Sequence, residues 1–390
     1  MTAAKSGGYT GERPHAGPPM SSAPPSQRQR SWRSVAWDAS ESGATERIRA
    51  LLAAEYPRED VVSGEYCEWL LRRNPCGDAI IRLAVDEDGT VAGQYVVVPV
   101  QLTIDGMVHD GALSLLTLVD PRYRGQGVFT ALARDVIDDC AARGRRFIIG
   151  FPNQNSYPGF VRALGFRDIG RVPLMLRPLQ PSQLVQTRLG PTLGTLLRPL
   201  LAPADLYYRA AVRAVPLQIA KVDDFGDAFD AFDAILARRF RVHQPRSARF
   251  LRWRFTESPR GYVTYAWRDA DRVRGYVVLR RTVVSGLVSG VLVDFFVDDG
   301  ADAPAIGGEL VRVAVGELAR MGTHLAGALV IRGTTEHAAL AANGFFVCPA
   351  RLAPQPFPVI VRATSPGWDA GKPVASLDGW ALTMGDYDAV

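Results

Sequence analysis

The feature of this 390-residue sequence that most constrains its fold is a set of landmark residues that occurs twice at a nearly constant separation. Four landmarks in one part of the chain have the same mutual spacing as four landmarks in another part. The first set is Tyr66, Trp69, Pro75 and Gly77, and the second is Phe250, Trp253, Pro259 and Gly261. Gly322 follows Gly144 by 178 residues, and the Gly-Phe pair at Gly165 recurs 179 residues later. Several landmarks in the same order at one separation indicate a duplicated domain. We therefore predict two copies of one α/β fold, which suits a chain too long for one ordinary domain.

Composition shifts along the chain predict where the two copies lie. The prolines, glycines and serines that crowd the start of the chain predict a disordered tail over 1–35. The first copy is predicted over 36–175 and the second over 216–390. Between them, 176–215 holds Pro181, Pro191, Pro199 and Pro203 between helical patterns and is predicted to be a helical connector.

Hydrophobic periodicity predicts the elements of the first copy. They are a helix near Glu46–Ala54, strands near Ala79–Val85, Val91–Val100 and Leu113–Val119, a helix over Gly127–Arg143 and a strand at Phe147–Gly150. The order is therefore several strands, then a strand, a loop, a helix and a further strand. This order places a loop between an apolar strand and an amphipathic helix.

Composition argues against several classes of protein. Four cysteines without a CxxC pair or a Cys/His cluster predict no metal site and thiols in a reducing, cytoplasmic compartment. The longest apolar stretches, including 113–119 and 325–331, are far shorter than the roughly 20 residues of a membrane span, so no membrane association is expected. The net charge is +5, and 42 of the 45 basic residues are arginines without a basic stripe. This pattern argues weakly for anionic ligands and against nucleic acid.

The loop after the strand at 113–119 carries the clearest chemical signal. The sequence there reads Val-Asp-Pro-Arg-Tyr-Arg-Gly-Gln-Gly, and a helix is predicted to begin at its last glycine, Gly127. Glycines at 125 and 127 allow backbone N–H groups to turn toward one point, and the positive end of a helix favours an anion there. Arg124 would add a charge-assisted contact. Two glycines alone also occur in ordinary strand-to-helix turns, so the spacing matters more than the glycines.

Arg124-x-x-Gly127 after an apolar strand resembles motif A of the GNAT superfamily of acyl-CoA N-acyltransferases, and Asn155 ten residues before Gly165-Phe166 resembles motif B. The resemblance implies two tandem GNAT-like domains with a mixed α+β sheet whose fourth and fifth strands splay apart around pantetheine. It implies acetyl-CoA or another acyl-CoA as co-substrate. The residues that it places at this co-substrate are Leu118, Val119, Arg124, Gly125, Gln126, Gly127, Val128, Phe129, Thr130 and Asn155.

Two positions depart from the superfamily pattern. Phe129 replaces the last glycine or alanine of motif A. Val161 stands where the superfamily often has a tyrosine that protonates the departing thiolate, and Tyr157, one helical turn earlier, is the nearest candidate acid. Asp120, His109 and Asp110 are candidate bases or ordinary loop residues. Because no base is evident, we hypothesise an acceptor amine of low pKa, as in amino sugars or α-amines.

The second copy lacks the glycine loop and is expected to be degenerate. Asp298, Asp299 and Asp302 stand at the matching place and would repel phosphates. The aromatic and basic run at 250–255 is a candidate wall of an acceptor cleft or part of the core. Near the end of the chain, two carboxylates (Asp386 and Asp388) are either solvated or able to reach an acceptor amine.

Three functions remain open from the sequence. The first is acyl transfer from acyl-CoA to a primary amine of a small polar or saccharide-like metabolite. The second is a CoA-binding regulator or scaffold whose catalytic site has decayed. The third is an aminoacyl-tRNA-dependent peptidyltransferase, which would need no CoA site and which Arg124-x-x-Gly127 argues against.

Overall fold

A computed structural model describes residues 31–56, 60–190, 199–203, 205, 215–284, 286–349, 351, 353 and 355–387. They form two mixed sheets with helices packed on both faces of each. The helices are α1 (Ala44–Glu55), α2 (Gly64–Arg72), α3 (Val128–Ala142), α4 (Pro181–Leu189), α5 (Ala228–Arg239), α6 (Ala248–Leu251), α7 (Ala303–Arg320) and α8 (Thr335–Ala342). Short π-helical turns occupy Gly159–Ala163 and Arg252–Thr256, and 3-10 turns occupy Asp60–Val62, Pro121–Tyr123 and Met384–Asp386.

The first sheet has the strand order β1-β2-β3-β4-β5-β15-β6, with the short strand β9 paired to β3. Its strands are β1 (Trp32–Ala36), β2 (Ile80–Asp86), β3 (Val91–Ile104), β4 (Met107–Val119), β5 (Phe147–Gly150), β6 (Arg167–Arg171), β9 (Val242–His243) and β15 (Pro358–Ala363). The pairing is antiparallel except between β4 and β5. Helix α3 joins these two strands because parallel neighbours need a crossover connection.

The second sheet has the order β14-β7-β13-β12-β11-β10-β8 and repeats the first in arrangement. Its strands are β7 (Leu174–Pro178), β8 (Ile219–Val222), β10 (Val263–Asp269), β11 (Arg272–Val284), β12 (Leu287–Val297), β13 (Leu325–Leu329) and β14 (Phe346–Val347). Only β12 and β13 are parallel, and α7 joins them. Strands β8 and β10 to β13 therefore correspond to β1 to β5, as the repeat in the sequence predicts.

The two copies exchange one strand each. Strand β7 lies before the second copy in sequence yet pairs with β13 and β14 of the second sheet. Strand β15 lies late in the second copy yet pairs with β5 and β6 of the first sheet. The predicted division into 36–175, 176–215 and 216–390 follows the order of the sequence, whereas the pairing of β7 and β15 crosses its boundaries. Strand β1 also begins within the predicted tail 1–35, whose residues 1–30 lie outside the described part.

The repeated tryptophans meet at the interface between the copies. The rings of Trp69 and Trp253 stack with centroids 4.8 Å apart and planes 18° apart. Trp69 Nε1 donates to the carbonyl oxygen of Trp253 at 2.8 Å, and Trp253 Nε1 donates to that of Trp69 at 3.4 Å. Because equivalent groups exchange equivalent contacts, the interface has the self-complementary form of a two-fold dimer. Phe250 and Phe255 are buried in the same core, and Phe250 also borders a small pocket beside Pro75 and Gln244.

We expect Trp69→Ala and Trp253→Ala each to lower the free energy of unfolding by about 3–5 kcal/mol, since each removes a buried indole and its hydrogen bonds. Urea denaturation would measure the loss. The double variant should cost less than the sum of the two, because either single change already removes the stack. Trp267→Ala is the matched control, since this half-buried side chain lies on β10 outside the interface. Additive losses would contradict the shared stack.

Candidate functional site

A bulge interrupts β4 close to its end. Gln94 pairs with Leu118 across the β3–β4 ladder, but the next pairing is Val96 with Leu115, so Leu116 and Thr117 have no partner in that register. Leu116 has φ of 46°, in the left-handed region that leucine rarely adopts. The bulge thus turns backbone groups out of the ladder.

Strands β4 and β5 separate at the same level. Their parallel pairing runs through Ala112, Leu113 and Ser114, which faces Gly150, and no further pair follows. The half-buried residues from Leu115 to Val119 therefore lack a strand partner on the β5 side. This separation is the splay that the sequence resemblance implies, and it leaves backbone amide and carbonyl groups of β4 accessible from one side.

The glycine loop continues from the end of β4. Gly125 and Gly127 both have φ of 77°, and a Cβ built on either would meet no atom within 4 Å. Gly127 is the N-cap of α3, and no side chain of the described residues caps this helix. The first N–H groups of α3 therefore lack the usual protein acceptor and face open space, which is the arrangement that binds a phosphate.

The side chains of the glycine loop are held loosely around the start of α3. Arg124 Nε donates to the carbonyl oxygen of Val119 at 3.1 Å, and its Nη2 lies 3.6 Å from a carboxylate oxygen of Glu55. The Arg124 side chain is still 55% exposed, so it can turn toward an anion without losing buried contacts. Gln126 Nε2 donates to the carbonyl oxygen of Arg122 at 3.2 Å.

Phe129 leaves the loop open despite its size. Its ring packs against Tyr95 and Phe160, with centroids 5.8 and 5.3 Å away. A Cβ on Gly159 would lie only 2.8 Å from the Phe129 ring, so a glycine is needed where the π-helical turn approaches α3. The side chain thus points toward the core, away from the space over Gly127.

Two predicted residues lie across the splay from the loop. Tyr157 donates its hydroxyl to Asp168 Oδ2 at 2.6 Å, and this hydrogen bond to a carboxylate raises the pKa of the tyrosine. Asn155 is exposed in a turn whose amide groups bond to Asn153 Oδ1. Val161 is half-buried against the same core as Phe129 and offers no donor. Tyr157 therefore holds its proton more firmly than a free tyrosine.

The candidate bases are poorly placed. Hydrogen bonds from Arg122 hold the pKa of Asp120 below its usual range. His109 and Asp110 lie at the opposite end of β4, about 20 Å from the bulge at the rise of a strand. Burial lowers the pKa of His109, and Asp110 accepts a hydrogen bond from Gln101.

Residues 40–169 match the family described as Acetyltransferase (GNAT) domain. Residues 40–169 form a GNAT acetyltransferase domain. The predicted superfamily is thereby confirmed for this part of the chain, which supports an acyltransferase, and the predicted α/β fold agrees with the solved structures. No curated protein matches the sequence.

Solved structures with the same fold are distant in sequence. A tandem GNAT protein from the clavulanic acid biosynthesis pathway is 16% identical with a TM-score of 0.54, covering 86% of this chain and 99% of that one. N-myristoyltransferase of Saccharomyces cerevisiae is 15% identical with a TM-score of 0.60, covering 85% and 80%. A probable N-acyltransferase of Enterococcus faecalis V583 is 14% identical with a TM-score of 0.55, covering 86% and 73%. At these identities, the likeness extends to the fold alone.

In the second GNAT-like copy, the place that matches the phosphate loop holds carboxylates. Asp298 and Asp302 both pair with Arg274, and the second residue of α7 is Pro304, which has no backbone N–H group. The last residues of β12, 293–297, are buried, whereas the last residues of β4 are half-buried. The charge of the aspartates is thus partly neutralised by an arginine that the sequence alone did not associate with them.

The segment at 383–386 packs against β12 of the second copy. Asp294 on β12 accepts hydrogen bonds from Arg246, Tyr276 and Thr383, and Asp386 accepts two more from the same guanidinium at 2.9 Å. Arg246 and both carboxylates are buried. Asp386 is therefore neither solvated nor able to reach an acceptor amine, contrary to both alternatives considered from the sequence.

The sequence did not single out two residues of interest. They are Tyr387, where the terminal segment meets the first GNAT domain, and Gln94 on β3. The Tyr387 ring lies 5.1 Å from that of Phe151, which directly follows β5, and its hydroxyl accepts from Gln355 Nε2 at 2.8 Å. Gln94 bonds to the bulge of β4. Asp388 lies outside the described residues. A terminal aromatic and a strand glutamine carry no local motif, so only the tertiary contacts reveal them.

Among the described residues, no group of three or more histidines, cysteines, aspartates and glutamates is placed to hold a metal ion. Within the same part of the chain, no helix combines the length and the apolar character required to cross a membrane.

We expect Asp168→Asn to lower the pKa of Tyr157, because the variant removes the carboxylate whose hydrogen bond favours the protonated phenol. The amide oxygen can still accept from the N–H of Gly170, so the local turn is kept. NMR titration of ring-labelled tyrosine would measure the change, with Tyr157→Phe to assign the signal. An unchanged or higher pKa would contradict the pairing.

Proposed function

We propose that the first GNAT domain binds an acyl-CoA, with acetyl-CoA as the principal candidate, and transfers the acyl group to a primary amine. The observation that carries the proposal is the uncapped start of α3 beside two left-handed glycines, directly after a strand whose end has no partner. Helix N–H groups suit a pyrophosphate, and the unpaired backbone suits the amides of pantetheine. In this proposal, Leu118 and Val119 pair with pantetheine, and 124–130 surround the pyrophosphate.

The reaction follows from the chemistry of a thioester. The neutral amine attacks the carbonyl carbon, the C–S bond breaks, and the amine loses a proton while the CoA thiolate gains one. Backbone N–H groups of the β4 bulge would stabilise the oxyanion, and the splay would hold the thioester against the amine. The described part of the site supplies positioning and polar contacts rather than a free carboxylate base.

The shortage of a base supports an acceptor of low pKa. At pH 7, an amine with a pKa near 10.4 costs about 4.6 kcal/mol to deprotonate, against about 1 kcal/mol for one near 7.7. Asp120 is paired with Arg122, Asp386 with Arg246, and Tyr157 keeps its proton. We therefore propose amino sugars or α-amines of small polar metabolites as acceptors.

We expect Arg124→Ala to raise the Kd for CoA by roughly 10- to 150-fold, the loss of about 1.5–3 kcal/mol for a charged hydrogen bond. Isothermal titration calorimetry would measure it. Arg122→Ala is the matched control, since this neighbouring arginine pairs with Asp120. Pantetheine, which has no phosphate, should bind both variants as it binds the wild type. An unchanged Kd for CoA would remove Arg124 from the site.

With acetyl-CoA as donor, we expect glucosamine and glycinamide to be acetylated faster than Nα-acetyl-lysine, because a larger fraction of each is neutral at pH 7. Release of the CoA thiol would report the rates. Faster acetylation of the lysine side chain would contradict the acceptor class. CoA binding without turnover for any amine would favour a CoA-binding regulator, and no CoA binding would overturn the proposed co-substrate.

A further inference from the structure

One buried polar side chain contacts the bulge of β4. Gln94 has no exposed surface, and its Nε2 donates to the carbonyl oxygen of Leu116 at 2.9 Å. Its Oε1 is buried and has no partner among the described residues. Because only the nitrogen can donate to a carbonyl, this bond fixes the orientation of the amide. The side chain therefore makes one specific contact, and that contact is to the backbone of the bulge.

The bonded residue has an unfavourable conformation. A leucine with φ of 46° is strained, and such strain persists only where the surroundings hold it. The second copy offers an internal comparison, because Tyr276 occupies the position of Gln94 and Asp294 that of Leu116. There the tyrosine hydroxyl bonds to the Asp294 carboxylate rather than to backbone. The β11–β12 ladder also has an irregularity, between Val278 and Leu279, and none of the described residues of β12 has a positive φ.

The hydrogen bond sets the direction of an adjacent N–H group. The carbonyl of Leu116 and the N–H of Thr117 belong to one trans peptide, so they point in opposite directions. Thr117 has no partner in the β3 register, and the pairing with β5 has already ended at Ser114. With its carbonyl side held by Gln94, this peptide directs the Thr117 N–H away from Gln94 and toward the unpaired side of β4.

We propose that Gln94 is a positioning residue that aims the Thr117 N–H at the thioester carbonyl oxygen of the bound acyl-CoA. The inference rests on the proposed function, since it requires the acyl-CoA to lie in the splay of the first domain. Gln94 does not touch the substrate in this arrangement. It acts through the Leu116–Thr117 peptide, and the N–H that it orients stabilises the negative charge that develops on the oxygen during attack by the amine.

The test compares acetyl-CoA with CoA on Gln94→Met, which keeps the length of the side chain and removes the donor. We expect the Kd for acetyl-CoA to rise about tenfold relative to that for CoA, as for the loss of one hydrogen bond. Infrared spectra with carbonyl-labelled [¹³C]acetyl-CoA should show a higher carbonyl stretching frequency in the variant complex than in the wild-type complex. A purely structural role would not move this signal selectively.

Gln101→Met is the matched control, because Gln101 lies on the same strand but bonds to Asp110 at the far end of β4. It should leave both the ratio of the two Kd values and the carbonyl frequency at wild-type values. Should Gln94→Met fail to fold, Gln94→Asn gives the same information, since it keeps an amide that is one methylene too short to reach Leu116.

The outcomes separate this inference from the proposed function. If the wild type binds neither acetyl-CoA nor CoA, the proposed co-substrate fails. If the wild type binds both and the Gln94 variants keep the wild-type carbonyl frequency and Kd ratio, Gln94 does not position the N–H. If both variants lose CoA and acetyl-CoA affinity equally, or neither variant folds, Gln94 is structural and the inference is overturned.

Discussion

The stacked pair of Trp69 and Trp253 is the interaction on which the arrangement of the two copies depends. Each indole donates to the backbone of the other, so the segments that follow α1 in the first copy and α5 in the second meet as equivalents. Aromatic stacking in a buried interface adds to the gain from apolar burial. With this contact in place, the exchanged strands β7 and β15 lie within reach of the opposite sheets. Neither sheet has its full set of strands without the other half of the chain.

The two copies share one order of strands but differ where their parallel strands separate. In the first copy, the separation of β4 from β5 stays accessible, and the helix that follows begins with uncapped N–H groups. In the second copy, the terminal segment at 383–386 packs against β12, and Thr383 and Arg246 both bond to Asp294. Arg274 pairs with the carboxylates at the start of α7. The difference arises from side chains and a terminal segment, because the strands themselves follow the same order.

Much of the frame could be predicted from local patterns. The strand at Phe147–Gly150 agrees with its predicted bounds, and α1 and α3 differ from theirs by one or two residues, because alternating and 3.6-residue periodicities are local properties. The splay was expected from resemblance to a superfamily. The exchange of β7 and β15 was not predictable in this way, because the residue pattern of a strand is the same whichever sheet it joins. For the same reason, Asp386 could be placed only after Arg246, 140 residues earlier, was found beside it.

By itself, the sequence determined that the chain contains one α/β fold twice and that a glycine loop with an arginine precedes a helix in the first copy alone. These properties depend on residue spacing and on the conformational freedom of glycine, which act within a few residues. Tertiary structure decided which strands complete each sheet, where the segment at 383–386 packs and which side chain holds the β4 bulge. Those outcomes depend on contacts between residues that are distant in sequence, such as Gln94 with Leu116 and Arg246 with Asp386, and no local pattern encodes such pairs.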